Sequence, residues 1–238
     1  DGTLVPFAKL PQEARPDKNL LELLSSLAAD EKTNLTIISG RDHMMLEEWF
    51  GNMNLNLIAE HGASVKLRGQ SWRHEYTADD AWKPLIRPTL ELFAQRCPGS
   101  FVEEKNHTIA WHYRNVESEM GFTRSRELLD NLYHLIRNAH LQVIDGNKVI
   151  EVRVAGIDKG TAALNLIREA KPGYILAIGD DKTDEDMFRA VRDHAVTIKV
   201  GLGNTYATYN IPSQQDVIKF LTKLASHKKA MATKPLAL

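Results

Sequence analysis

The densest group of chemically able side chains is Gly179-Asp180-Asp181-Lys182-Thr183-Asp184-Glu185-Asp186, directly after the apolar run Tyr174 to Ile178. Two adjacent carboxylates at the end of a buried strand repel each other and lose hydration, a cost that a hard cation or strong hydrogen-bond donors offset. Mg2+ bound at Asp180 and Asp181 accounts for the pair. The competing reading makes Asp184 a helix N-cap and the acids after it a solvated first turn favoured by the helix dipole. It explains Asp184 to Asp186 and leaves Asp180 and Asp181 without a reason.

Two further stretches have side chains suited to an anion. Leu35-Thr36-Ile37-Ile38-Ser39-Gly40-Arg41-Asp42 is an apolar run ending in a hydroxyl and a glycine. A hydroxyl beside free backbone amides at the carboxyl end of a strand can hold a phosphate oxygen. The same residues also suit a turn that caps the helix through Leu46 and Trp49. In Ile157-Asp158-Lys159-Gly160-Thr161 a lysine falls in a first helical turn, against the dipole. It calls for a partner, either phosphate or the Asp180 cluster, unless it is an ordinary surface lysine.

Other patterns carry less. Gly201-Leu202-Gly203 follows a strand, but Tyr206 stands where a dinucleotide fingerprint needs its third glycine, and Gly156 to Thr161 lacks the Gly-Lys-Ser/Thr ending of a P-loop. No histidine, His61 included, has a metal-protease spacing, and Cys97, between Arg96 and Pro98, reads as structural.

The elements that must position these residues follow from periodicity. Leu35 to Ile38, Tyr174 to Ile178 and Ala195 to Val200 read as buried strands. Helical spacing appears at Leu20, Leu23, Leu24 and Leu27, at Leu164 and Ile167, at Met187, Phe188 and Val191, and at Val217, Phe220, Leu221 and Leu224. Strands alternating with helices predict an α/β fold with a Rossmann-like open parallel sheet. Between about Ser71 and Val154 the rhythm changes to helix (from Ala78 to Gln95), strand pair around Lys105-Asn106, helix (Glu117 to Arg137), and strand pair turning at Asp145-Gly146. That is an inserted α+β unit. Ile109, Trp111 and Tyr113 oppose His112 and Arg114, and Ile150, Val152 and Val154 oppose Glu151 and Arg153, so one sheet face is apolar and the other polar. The tail with Lys228, Lys229 and Lys234 reads as a loose end.

Composition sets the outer limits. The 238 residues are 43% apolar and 26% charged, a globular mix, and 30 basic against 31 acidic residues leave a net charge of -1. Such balance gives no bulk field for nucleic acid or an anionic membrane. One cysteine precludes an internal disulfide, and no apolar run reaches the roughly 18 residues of a membrane span, so a cytoplasmic protein is expected. The chain opens at Asp1 inside a motif, which implies a segment upstream.

In order, Asp1-Gly2-Thr3-Leu4, Ser39, Lys159 and Gly179-Asp180-Asp181 through Asp184 resemble the four motifs of haloacid-dehalogenase-type phosphohydrolases, whose larger α+β caps are inserted where this chain changes rhythm. The fuller wording adds Glu60-His61-Gly62-Ala63, Ile38-Ser39-Gly40-Arg41 and Val200-Gly201-Leu202-Gly203, and is similar to the trehalose-6-phosphate phosphatase family, whose domains occur alone or fused to a synthase. The resemblance implies a core at 1–69 and 156–238, a cap domain at 70–155, a phosphosugar substrate, a fused or associated trehalose-6-phosphate synthase as partner, and Mg2+ as cofactor.

It also implies roles. The nucleophile of the family motif falls two residues before Asp1, so Asp1 matches the general acid/base, and a chain without that upstream carboxylate is expected to be inactive. Ser39 and Lys159 would hold the phosphoryl group, with Gly40 and Arg41 at the substrate. Asp1, through its carbonyl, and Asp180 would bind the metal. Asp181 and Asp184 would hold metal-bound water or orient Lys159. Glu103, Lys105, Arg114, Glu151 and Arg153 would read the sugar, with hinges near Arg68-Gly69 and Ala155-Gly156. The pleat agrees, since 103 and 105 share a face, as do 151 and 153. An ordinary solvated face with cross-strand ion pairs has the same pattern.

Overall fold

A computed structural model of the chain describes residues 1–8, 13–75 and 80–232, so Ala78 and Lys234 lie outside the described residues. The first layer is a parallel α/β assembly. Asp17 caps helix α1 (Lys18–Ala28) by accepting from Leu20 N, and strand β1 (Thr36–Ile38) follows. Helix α2 (His43–Phe50) leads to β2 (Asn56–Ala59), which pairs with β1 in parallel. A tight turn at Glu60–Gly62 reverses the chain into β3 (Ser64–Lys66), antiparallel to β2, and β4 (Arg73–His74) pairs with β3. Pairing therefore carries this sheet to His74, past the division expected at residue 69.

The inserted unit follows. Helix α3 (Lys83–Arg96) leads to strands β5 (Phe101–Glu104) and β6 (Thr108–His112), and helix α4 (Ser118–Leu135) to β7 (Leu141–Asp145) and β8 (Val149–Val154). The four strands form one antiparallel sheet in the order β5-β6-β8-β7. Its apolar face, with Ile109, Trp111, Ile150 and Val152 fully buried, packs with Ile86, Leu90, Leu128 and Leu132, and Cys97 is buried among them. A fully buried Leu or Ile contributes roughly 1.5–3 kcal/mol, so this layer has a core of its own.

The chain then returns to the first layer with α5 (Lys159–Ala170), β9 (Leu176–Gly179), α6 (Lys182–Val191), β10 (Val196–Val200), β11 (Tyr209–Ile211) and α7 (Gln214–Ala232). Strands β9, β10 and β11 form a separate parallel sheet. Leu35, beside β1, and Ile178 of β9 pack on one cluster around Leu27, Val200 and Val217. Yet no ladder joins β1 to β9 among the described residues, and the side chains of β1 are half-buried while those of β2 are buried throughout.

Candidate active site

The carboxyl ends of β1 and β9 face the polar side of the inserted sheet across a crevice of about 330 Å3. Local sequence places its acidic end. Helix α6 starts at Lys182, so Asp181, not Asp184, is its N-cap. Asp181 Oδ1 accepts from Asp184 N at 2.9 Å, while Asp184 Oδ2 accepts from Asp180 N and Asp181 N at 2.9 and 3.1 Å. This reciprocal capping box fixes both carboxylates to backbone. Gly179 is required beneath them, because a Cβ there would lie 2.2 Å from Asp184 Cγ.

Lys159, first residue of α5 and buried, donates to Asp184 Oδ1 at 2.8 Å and lies 3.5 Å from Asp181 Oδ1. Burial disfavours its charge, but Asp181 and Asp184 outweigh that and raise its pKa. Burial also acts on the carboxylates. It pushes Asp184 up to about 6 against the pull of Lys159, whereas for Asp181 the attraction of Lys159 and hydrogen bonds from Asp184 and Thr183 win, and its pKa falls. Asp180 keeps a raised pKa, from burial and from Asp181, although Thr3 Oγ1 donates to its Oδ1 at 2.6 Å. Gly2, at φ +73°, leaves Asp180 room, since a Cβ there would lie 1.9 Å from Oδ2.

On the other wall, Asp42 caps α2 by accepting from Met45 N, which frees Ser39 to face the crevice while its Oγ accepts from Arg41 N. The Arg41 guanidinium donates to both oxygens of Asp1 at 2.7 Å and lies 4.6 Å over the Trp49 ring. From the inserted sheet, Glu103 pairs with His112 at 2.8 Å and with Lys105 at 3.5 Å, and Lys105 Nζ donates to Gly40 O at 3.1 Å. Arg114 lies 5.0 Å over the Phe7 ring. Glu151 Oε1 is 3.4 Å from His61 Nε2. Burial holds His61 below its ordinary pKa against the attraction of Glu151.

Asp1, Ser39, Gly40, Arg41, Glu103, Lys105, Arg114, Glu151, Lys159, Asp180, Asp181 and Asp184 all line this crevice. Arg153 does not. It is fully buried, and Nε and Nη2 donate to the Gln142 side chain with its amide oriented to accept. The face it shares with Glu151 is covered at 153 and borders the crevice at 151, a difference the pleat alone cannot express. Sequence reasoning also passed over Lys199 and Thr3. Lys199 of β10 is nearly buried, donates to the Asp180 carbonyl and lies 3.4 Å from Glu185 Oε1. Its signal was a lysine inside a mostly apolar strand.

The Asp180 carboxylate is a hard oxygen donor whose charge burial and Asp181 disfavour, a cost that a hard cation would offset. Asp181 is turned to Lys159 and the helix instead. Among the described residues no three His, Cys, Asp or Glu side chains converge as a ligand set. A cation here would draw on Asp180 and on backbone or further oxygens. Nor is any described helix long and apolar enough to cross a membrane.

The sequence pattern of the trehalose-phosphatase family matches residues 1–226. The bifunctional trehalose-6-phosphate synthase/phosphatase of Thermoproteus tenax is 41% identical over 224 residues, covering 94% of this chain and 31% of that protein. The trehalose-phosphatase of Schizosaccharomyces pombe is 34% identical over 243 residues, covering 95% and 30%. The chain thus spans about a third of the length of these curated relatives. Among solved structures, the C-terminal domain of Candida albicans trehalose-6-phosphate phosphatase superposes with a TM-score of 0.90 at 28% identity, covering 95% of this chain and 89% of that one. Crystal form 3 of the Aspergillus fumigatus trehalose-6-phosphate phosphatase gives 0.66 at 34% identity, covering 95% and 90%.

Proposed function

Because the chain belongs to the trehalose-phosphatase family, we propose that it hydrolyses trehalose 6-phosphate to trehalose and phosphate, with the cap formed by β5–β8 and their helices selecting the sugar. The observation that carries this reading is the single crevice with a phosphate-suited end and a sugar-suited end. At one end Ser39, Lys159 and the N-termini of α5 and α6 converge around Asp180. At the other, Glu103, Lys105, Arg114 and Glu151 offer donors and acceptors of both signs, fitting an uncharged polyhydroxylated ring.

The nucleophile in this reading is a carboxylate two positions before Asp1, on a strand seated between β1 and β9. The unladdered, half-buried strands there support it. Attack on phosphorus forms an aspartyl-phosphate and splits one slow hydrolysis into two easier steps. Asp1 protonates the departing sugar oxygen and then takes a proton from the water that releases phosphate. For this Arg41 must let go of the Asp1 carboxylate, since the ion pair favours its charged form. Lys159 and Ser39 hold phosphoryl oxygens, and the capping box keeps Lys159 aimed. Asp180 and the Asp1 carbonyl would hold Mg2+, which would supply positive charge against the phosphoryl oxygens. A synthase domain on the same polypeptide or in the same complex is the partner this reading expects.

The test is phosphate release by the full-length protein from trehalose 6-phosphate, sucrose 6-phosphate and a small aryl phosphate. Preference for trehalose 6-phosphate supports the proposal. Binding without release indicates a noncatalytic domain, and preference for sucrose 6-phosphate reassigns the sugar. Replacing the residue two before Asp1 by Asn should abolish turnover, and retained turnover would remove the aspartyl-phosphate step.

A further inference from the structure

Glu60 and His61, in the motif Glu60-His61-Gly62-Ala63, take no part in the chemistry above, yet both adopt left-handed backbone at φ +46° and +59°. Non-glycine residues hold such angles only where the surroundings over-determine them. The turn lifts both side chains out of the core sheet toward the cap. Glu60 is fully buried, and its Oε2 accepts from His107 N at 2.8 Å in the turn between β5 and β6. The other oxygen, Oε1, is buried with no hydrogen-bond partner. From the cap side, Lys83 Nζ donates to the carbonyls of Lys105 and Asn106 at 2.6 and 3.0 Å and so holds the turn that presents His107 N. His61 faces Glu151 on the neighbouring strand, and Lys105 reaches Gly40 O alongside.

We propose that Glu60 is a positioning residue that latches the cap shut over the crevice through its hydrogen bond with His107 N. A carboxylate buried with half its acceptors unused is a poor choice for packing, because an apolar side chain would fill the same space without the desolvation. It is a good choice for a contact that exists in one state only. With the cap open, the Glu60 carboxylate returns to water; closed, it has lost that water, and the His107 N–H is the hydrogen bond its Oε2 keeps in exchange. The latch therefore acts on substrates that need the closed cap, whose apparent affinity scales with the closed fraction. A small phosphate ester that reacts in the open crevice is indifferent to it.

The inference rests on the proposed sugar-phosphate activity, and the experiment separates the two. In the full-length protein, Glu60→Ala should raise KM for trehalose 6-phosphate on the order of tenfold while kcat/KM for p-nitrophenyl phosphate stays within about twofold. Glu60→Gln, whose amide oxygen still accepts from His107 N, should retain the wild-type KM. If the alanine variant does not fold, Glu60→Asp serves, since a side chain one methylene shorter withdraws from His107 and keeps its charge. Amide hydrogen exchange at His107, which needs no substrate, should quicken in the Ala or Asp variant and not in the Gln variant. Equal losses on both substrates, a Gln variant as impaired as Ala, or unchanged exchange at His107 would each overturn the latch. A wild-type protein inert toward trehalose 6-phosphate would sink the activity, and the exchange measurement would still decide the latch.

Discussion

The two walls of the crevice hold their charges in different ways. In the core, Asp181, Asp184 and Lys159 sit at the first turns of α5 and α6, each tied to backbone or to a buried partner. In the cap, Glu103, Lys105 and Glu151 lie on a sheet face and lean on each other or on single core atoms such as Gly40 O and His61 Nε2. Helix termini hold a charge in one geometry through several short bonds, and a sheet face presents a row of side chains that a hinge can move as a unit. Chemistry that tolerates little displacement belongs on the first, and recognition that must open for substrate belongs on the second.

The contrast is sharpest for the largest effect. Asp180→Asn keeps the shape of the site and removes one anionic oxygen. It should cut turnover roughly a hundredfold or more on every substrate and raise the Mg2+ concentration needed. Near-native turnover at low Mg2+ would dissolve the assignment of this end to a cation.

Lys159→Met should abolish detectable turnover and cost on the order of 3 kcal/mol in urea unfolding, because Asp181 and Asp184 lose their buried partner. Adding Asp184→Leu should recover much of the stability and none of the turnover. Recovery of turnover would mean that Lys159 only neutralises Asp184.

On the cap side, Glu151→Ala should lower kcat/KM for trehalose 6-phosphate about tenfold and leave aryl phosphate hydrolysis nearly intact. Arg153→Met, at a residue buried beneath the same face, should instead lower the unfolding temperature and leave the ratio between the two substrates unchanged. If Arg153 shifted that ratio as Glu151 does, the crevice would extend farther than its open lining.

The smallest effect is a pH dependence at the seam between the walls. Burial depresses the His61 pKa below 6.5, so under acid the unfolded chain takes up a proton that the folded one refuses. The contribution is complete above pH 6.5 and is lost as pH falls from 6.5 toward the folded value, with a slope of at most about 1.4 kcal/mol per pH unit. His61→Asn should flatten the melting temperature over that window, and an unchanged slope would place the titration elsewhere.

Much of this was legible in the chain. The alternation around Ile109 and Ile150 predicted the face that became the cap's core, and the Asp145-Gly146 turn lies between β7 and β8 as expected. Strand β2 escaped notice, because Asn56-Leu57-Ile58-Ala59 is short and buried on both faces, which removes the period-two signal. β4 was assigned to the insert, since two exposed residues carry no pattern until they pair. Lys199 and Glu60 were invisible as site residues, because a charged side chain in an apolar segment says that it needs a partner without saying which.

What the sequence determined by itself was the kind of chemistry and the order of its parts, since carboxylate pairs at strand ends, helix-initiating Asp and Lys, and periodic apolar faces are local properties of a few neighbouring residues. The tertiary structure alone decided which of those residues meet. It turned Asp181 and Asp184 onto Lys159, 22 and 25 residues away in the chain, buried Arg153 while leaving Glu151 at the crevice, and set Glu60 against His107 across the seam. Such pairings depend on how two layers with separate cores are laid against each other. That is a sum over many distant contacts, and no short window of sequence contains it.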